Sequence, residues 1–276
     1  GMLSEKGHTF TDDELQAEVI VVNTCCFIGD AKEESINTLI EMGALKESGN
    51  LKLLIAAGCL AQRYYDEIKT EIPEVDVIVG TMAIDRIAEA VDQCDKKEKD
   101  NFIKDINSPV VCGKKRVLTT GGHYAYLKIA EGCEKHCTYC IIPKIRGNFR
   151  SVPMEVLLKE AEKLAQDGVK ELILVAQETT VYGKDLYGKK CLSELLKKLT
   201  EIEGIQFIRI LYCYPGEITP ELIQVMKEEP KICKYLDMPI QHASDNVLKR
   251  MGRRTNCEEL RSIVTTLRKE IPDICL

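Results

Sequence analysis

The chain has 276 residues, of which 45% are hydrophobic and 30% charged, and its formal net charge is -6. That length and apolar content are ample for a buried core, with room for two domains. The acidic balance excludes a general attraction to DNA or to an anionic membrane, though not a local basic patch. No apolar run reaches membrane-spanning length and no signal peptide opens the chain, so the expected compartment is the cytoplasm.

Apolar strands alternate with amphipathic helices from the start. Residues 17–25 read as a buried strand, 31–45 as a helix, 51–59 as a second strand and 61–69 as a helix. A third strand follows at 75–80 and a helix at 82–91. Continuous apolar strands between helices imply a parallel sheet. The charge run Asp95-Lys96-Lys97-Glu98-Lys99-Asp100, then Pro109, Gly113 and Gly121-Gly122, break the pattern. The expected organisation is therefore a first domain over 1–95, a linker over 96–122 and a second domain over 123–276.

The second domain opens another βα series. Strands are expected at 124–130, 171–176, 206–212 and 234–240. Helices are expected at 153–167, 192–202 and 219–229, with further helices to about residue 270. Pro153 suits the first turn of its helix. The fold class is α/β: a parallel-sheet domain followed by a partial βα barrel, with chemistry at the C-terminal ends of the strands.

Thirteen cysteines form an odd set in a long chain without an export signal, which favours metal-bound thiolates over disulfides. The strongest pattern is Gly132-Cys133-Glu134-Lys135-His136-Cys137-Thr138-Tyr139-Cys140-Ile141-Ile142-Pro143, on one loop after a strand. A 4Fe-4S cluster normally takes four protein thiolates, and the ferredoxin run places a fourth cysteine three residues on, before a proline. Here that stretch is Ile141, Ile142, Pro143 and Lys144, and the next cysteine is Cys191. The loop thus supplies three ligands and leaves one iron open, as a catalytic metal requires. A zinc site would need a fourth ligand at finger-like spacing, and His136 is too close to Cys137 to serve. A non-catalytic electron carrier would want every iron ligated by protein.

This spacing resembles the radical S-adenosylmethionine (SAM) superfamily. The resemblance implies that the open iron is chelated by the amino and carboxylate groups of SAM, that Tyr139 packs beside cluster and cofactor, and that the Ile142 backbone reaches the adenine. It also implies that an electron from the cluster cleaves SAM to a 5′-deoxyadenosyl radical.

Two further cysteines end strands, in Asn23-Thr24-Cys25 and Ala57-Gly58-Cys59. Each alone also fits a small buried hydrophobe. With the three-cysteine loop they resemble the methylthiotransferase family, whose first domain holds a second 4Fe-4S cluster on three cysteines. The resemblance assigns Cys25 and Cys59 to that auxiliary cluster. Residues 1–16 hold no cysteine, so one auxiliary ligand is missing, and Cys26 is read as a bystander because neighbours on a strand face opposite ways. Gly1 before Met2 and the unsignalled end at Leu276 lead us to expect a fragment. By the resemblance it lacks the first strand, the end of the barrel and a C-terminal TRAM domain.

Within the family, Val175-Ala176-Gln177-Glu178-Thr179-Thr180, Leu211-Tyr212-Cys213-Tyr214-Pro215 and Leu236-Asp237-Met238-Pro239-Ile240-Gln241-His242 resemble the branch that modifies an aspartate β-carbon in a small-subunit ribosomal protein. A tRNA-modifying branch is the alternative, which the acidic charge disfavours. By the same resemblance Gln177 and Glu178 hold the SAM amino group, Arg209 meets its carboxylate or ribose, and Gln241 and Ser244 line the pocket. Each of these also fits an ordinary loop contact. One SAM would methylate sulfur at the auxiliary cluster and a second would yield the radical. The cysteines hold clusters and are not general acid–base catalysts. Flavodoxin or ferredoxin is the expected kind of reductant. The basic run Lys249-Arg250-Met251-Gly252-Arg253-Arg254, with Lys144, Arg146 and Arg150, reads either as a solvated face or as a landing site for an acidic loop or ribosomal RNA. Cys94, Cys112, Cys191, Cys213, Cys233, Cys257 and Cys275 share no spacing.

Overall fold

Two parallel sheets organise the chain, and in each the strands lie side by side in the order in which they are made. The computed structural model describes residues 1–276. It divides them into one unit of Gly1–Val117 with Lys144–Arg146 and another of Leu118–Pro143 with Gly147–Leu276.

In the first unit a short helix, α1 (Met2–Glu5), precedes β1 (Val19–Thr24), α2 (Gly29–Ser48) and β2 (Leu53–Gly58). Next come α3 (Cys59–Arg63), α4 (Tyr65–Glu71), β3 (Val77–Gly80) and α5 (Ile87–Val91). The sheet order is β1-β2-β3 and all pairing is parallel. Central β2 is covered on both faces, which explains its unbroken apolar run: Leu53 to Ala57 are all fully buried. The helix expected over 61–69 is split at Tyr64, whose φ of -112° and ψ of 40° leave the helical region. The one expected over 82–91 begins as a 3-10 turn, Thr81–Arg86. The charged stretch after Asp95 does not float free. Phe102 pairs with Ile78 and Gly80 along β3, and the Asn101 side chain accepts from the Ile78 amide at 2.7 Å.

The second unit runs β4 (Tyr124–Lys128), β5 (Ala130–Glu131), the first two residues of α6 (Ile142–Ile145), β6 (Arg150–Ser151), α7 (Met154–Gln166) and β7 (Glu171–Val175). It continues with α8 (Lys184–Tyr187), α9 (Leu192–Thr200), β8 (Phe207–Ile210), α10 (Pro220–Glu228), β9 (Ile232–Leu236), α11 (Asp245–Arg250) and α12 (Cys257–Glu270). Its parallel sheet has the order β4-β7-β8-β9. Successive βα units that always add on the same side are the winding of a barrel, not of a doubly wound sheet. Strand alternation separates the faces. Ala125, Leu127, Leu172, Leu174, Ile208 and Ile210 are fully buried on one. Tyr126, Ile173, Phe207 and Arg209 sit on the other and are more exposed.

The helices bury matching stripes. In α9 these are Leu192, Leu195, Leu196 and Leu199, spaced for one face. Start signals are local: Thr219 caps α10 ahead of Pro220, and Asn256 with Glu259 forms a capping box on α12. β9 ends at Leu236, four residues short of the expected end at 240, because Asp237 leaves the ladder. Its carbonyl accepts from the Cys213 amide and its carboxylate from the Tyr212 amide.

Leu157, fully buried under the sheet in α7, should cost about 2–5 kcal/mol when cut to alanine, by lost transfer energy plus the cavity left behind. Leu186→Ala on exposed α8 should stay within about 0.5 kcal/mol. Chemical denaturation of both variants checks the difference.

Candidate functional site

The C-terminal ends of β4, β7, β8 and β9 carry four loops that are hydrogen-bonded in sequence. The Thr179 hydroxyl donates to the Leu211 carbonyl at 2.7 Å, and the Cys213 amide to the Asp237 carbonyl at 2.9 Å. Backbone conformation there is costly. Among non-glycine residues only His136, Tyr212 and Gln241 have positive φ, at 50°, 57° and 69°. One lies in the cysteine loop and the others lie just beyond β8 and β9. Such residues cost about 1–3 kcal/mol each and gather where a site dictates the backbone.

The cysteine loop leaves β5 at Gly132, whose φ is 81°. A Cβ there would stand 2.1 Å from the Asn148 carbonyl oxygen and 2.6 Å from that of Gly147, so only glycine fits. The Gly132 amide donates to Oε1 of Gln177 at 2.6 Å, and the Cys133 amide to the Gly147 carbonyl at 3.2 Å. At the far side the Thr138 amide and hydroxyl donate to the carbonyls of Met251 and Arg250, both at 3.0 Å. The Cys140 amide closes a turn on the Cys137 carbonyl at 2.9 Å. Cys133 and Cys137 are buried and Cys140 is half-buried. Burial pushes the Cys133 thiol up to about 11, so any metal taken up there must displace that proton.

No three cysteine, histidine or carboxylate side chains converge as ligands of a single ion. Thiolates of a cluster each bind a different iron and so stand farther apart than that. The surroundings suit an anionic cluster. The Arg253 guanidinium reaches Cys137 Sγ at 4.0 Å. Lys135 projects from the loop between the first two cysteines.

Of the other expected residues, Gln177 and Glu178 both serve the loop. Gln177 holds Gly132, as above. Glu178, 3% exposed, accepts from the Thr180 amide at 2.9 Å and from its hydroxyl, and lies 3.8 Å from Lys135 Nζ. Burial raises its pKa against the pull of Thr180 and Lys135. Lys135 also pairs with Glu217, which is shared with Lys190 at 2.7 Å. Burial pushes Glu217 up, but the two lysines outweigh it and hold the carboxylate below its usual range. Arg209 turns to Glu171 at 2.7 Å and stacks over Tyr235 at 5.0 Å. Glu171 opens β7, so this pair leans away from the strand ends. Tyr139, Gln241 and Ser244 are exposed, and Ile142 starts α6 half-buried.

In the first unit the alternation of buried Val22, Thr24 and Cys26 runs past the end of β1. Cys26 therefore faces inward. Burial, then the neighbouring Cys59 thiol, push Cys26 up to about 11. Cys25 faces out, in a groove of about 1010 Å³ along the free edge of β1. Opposite faces separate the two neighbours, as strand alternation leads one to expect, and Cys26 is the one on the side of Cys59. Ser35 pins the turn, accepting from the Cys25 amide at 2.9 Å and donating to its carbonyl at 3.1 Å. Cys59 is buried at the start of α3, where Gly58 (φ 103°) passes close to Thr24.

Sequence reading missed Tyr214 and the inward turn of Arg253. Arg253 was placed in a basic surface run, whereas its guanidinium also donates to the Pro239 carbonyl and lies 4.2 Å from the Tyr214 ring centre. The only local signal was Tyr214 inside a stretch already noted for its resemblance.

Residues 127–276 match the radical SAM superfamily, and residues 1–80 match a family described as uncharacterized protein family UPF0004. Over its whole length the chain is 63% identical to the ribosomal protein uS12 methylthiotransferase RimO of Lachnoclostridium phytofermentans, covering 63% of that protein. The same-named protein of Clostridioides difficile is 51% identical, again over the whole chain and 62% of the relative. The chain thus spans about three fifths of the length of these relatives. Among solved structures it is similar to the cobalamin-dependent S-adenosylmethionine radical enzyme OxsB (TM-score 0.62, 13% identity, 91% of this chain and 39% of that one). It is also similar to the radical S-adenosylmethionine methyltransferase TsrM from Kitasatospora setae (TM-score 0.62, 11% identity, 91% and 54%). At such identities the likeness is one of fold.

Gly132→Ala should push the loop off the Gly147–Asn148 backbone and reduce iron uptake after anaerobic reconstitution by more than half, while circular dichroism stays that of the wild type. Undiminished iron would show that the close approach does not shape the site.

Proposed function

From the premise that the chain belongs to the radical SAM superfamily, we propose that it carries the cluster-binding domains of a methylthiotransferase whose substrate is ribosomal protein uS12. The observation that carries this reading is the Cys133–Cys140 loop, three thiols presented at the C-terminal rim of a parallel half-barrel. Identity to the RimO proteins across every residue of the chain supports the substrate class.

A 4Fe-4S cluster bound by the loop would supply an electron and one iron open to SAM. The chain's own residues do the positioning. Cys133, Cys137 and Cys140 would anchor the cluster, and the loop offers no fourth thiolate. Gln177 fixes the first turn of the loop through Gly132. Glu178 and Glu217 hold Lys135, and with it the middle of the loop, in place. Tyr139, Gln241 and Ser244 stand exposed at the rim, where they can touch SAM. Arg209 must leave Glu171 to do so, so we place it behind the pocket.

In the first unit Cys25 and Cys59 are the proposed anchors of an auxiliary cluster that would supply the sulfur chemistry. The electron would come from a small reductant such as flavodoxin or ferredoxin, in the cytoplasm.

Cys137→Ala should abolish 5′-deoxyadenosine formation from SAM and leave the fold intact. A wild-type rate in that variant would contradict the assignment of the loop. Protein of the relatives' full length should put a methylthio group on uS12 and leave tRNA unmodified. A methylthioadenosine product with no methylthioaspartate would move the assignment to the tRNA branch.

A further inference from the structure

The turn that follows α11 sends Arg253 toward the cysteine loop. Its Nη2 donates to the Pro239 carbonyl, its Nη1 lies 4.0 Å from Cys137 Sγ, and its guanidinium carbon stands 4.2 Å from the Tyr214 ring centre. The same ring meets the Lys135 ammonium at 4.4 Å. The two cations differ in one respect. Lys135 is neutralised by Glu178 and Glu217. Arg253 pairs with no carboxylate, and its Nε is buried without a hydrogen-bond partner. A half-buried guanidinium loses hydration that a carbonyl and a ring face restore only in part, so it favours an anion within reach. The Cys137 sulfur, which is a thiolate when it ligates a cluster, lies within reach at 4.0 Å.

We propose that Arg253 is a positioning residue that donates to the Cys137 thiolate once it is cluster-bound, and so governs how readily the cluster accepts an electron. The inference rests on the reading of the loop as an iron–sulfur site. Hydrogen bonds to the sulfurs and nearby charge are among the levers that set a cluster's potential. The reduced cluster is one charge more negative than the oxidised one, so a cation at this distance stabilises it more. Tyr214 takes part by holding the guanidinium over its ring, with its hydroxyl accepting from the Arg254 amide at 3.0 Å.

The test is anaerobic reconstitution of wild type, Arg253→Gln, Arg253→Lys and Tyr214→Leu, with iron and sulfide counts and redox titration followed by EPR. Arg253→Gln should lower the reduced-to-oxidised ratio at a fixed potential about tenfold, which is about 59 mV for one electron. Arg253→Lys keeps the charge and should lower it less, and Tyr214→Leu should give a similar partial shift. A wild-type midpoint in a fully loaded Arg253→Gln would overturn the proposal and reduce Arg253 to a structural tie. If that variant takes up no iron, wild-type midpoints in both Arg253→Lys and Tyr214→Leu would overturn it instead. A wild-type chain that assembles no iron–sulfur cluster would refute the underlying reading rather than this one.

Discussion

The second unit is built around the approach of Gly132 to the carbonyls of Gly147 and Asn148. That contact lets the chain leave β5, make a wide loop and return to β6 without a side chain between the two passes. The loop is then tied on both flanks, by Gln177 from the end of β7 and by Arg250 and Met251 from the end of α11. Three cysteines on so long a loop would otherwise sample many arrangements, and ordering them only on metal binding would cost entropy at that moment. The half-barrel meets much of that cost in advance.

The same ties create an electrostatic setting. Cys133 and Cys137 are buried near Lys135 and Arg253, and the carboxylates of Glu178 and Glu217 are already engaged by Lys135 and Lys190. One positive charge, on Arg253, is left over. An anionic ligand set therefore gains more from this pocket than a neutral one. The strain at His136, Tyr212 and Gln241 fits the same picture, since the rim backbone is held where the strands alone would not put it. The loops of β8 and β9 follow this rule as closely as the cysteine loop does.

Much of this was legible in the sequence where the signal is local. The apolar run of β2 and the helices expected at 192–202 and 219–229 each rest on signals within a few residues, and the structure places β2, α9 and α10 there. Boundaries failed where a contact distant in sequence decides. β9 stops at Leu236 because Asp237 is recruited by Tyr212 and Cys213, 24 to 25 residues earlier. Alternation says that Cys25 and Cys26 part, not that Cys26 is the one that turns inward. Arg253 was beyond reach for the same reason. It meets Cys137 from 116 residues away, and nothing in Lys249-Arg250-Met251-Gly252-Arg253-Arg254 marks which cation leaves the surface.

The central claim is that the loop holds a cluster with one iron open to SAM. EPR of the reduced, anaerobically reconstituted chain, recorded before and after SAM is added, tests it directly. An open iron requires the signal to change on addition, and Cys133→Ala to lose the part of the signal that responds to SAM. A signal of full intensity that SAM leaves untouched would mean that every iron is already ligated by protein, and the chain would then be an electron carrier rather than an enzyme of this kind.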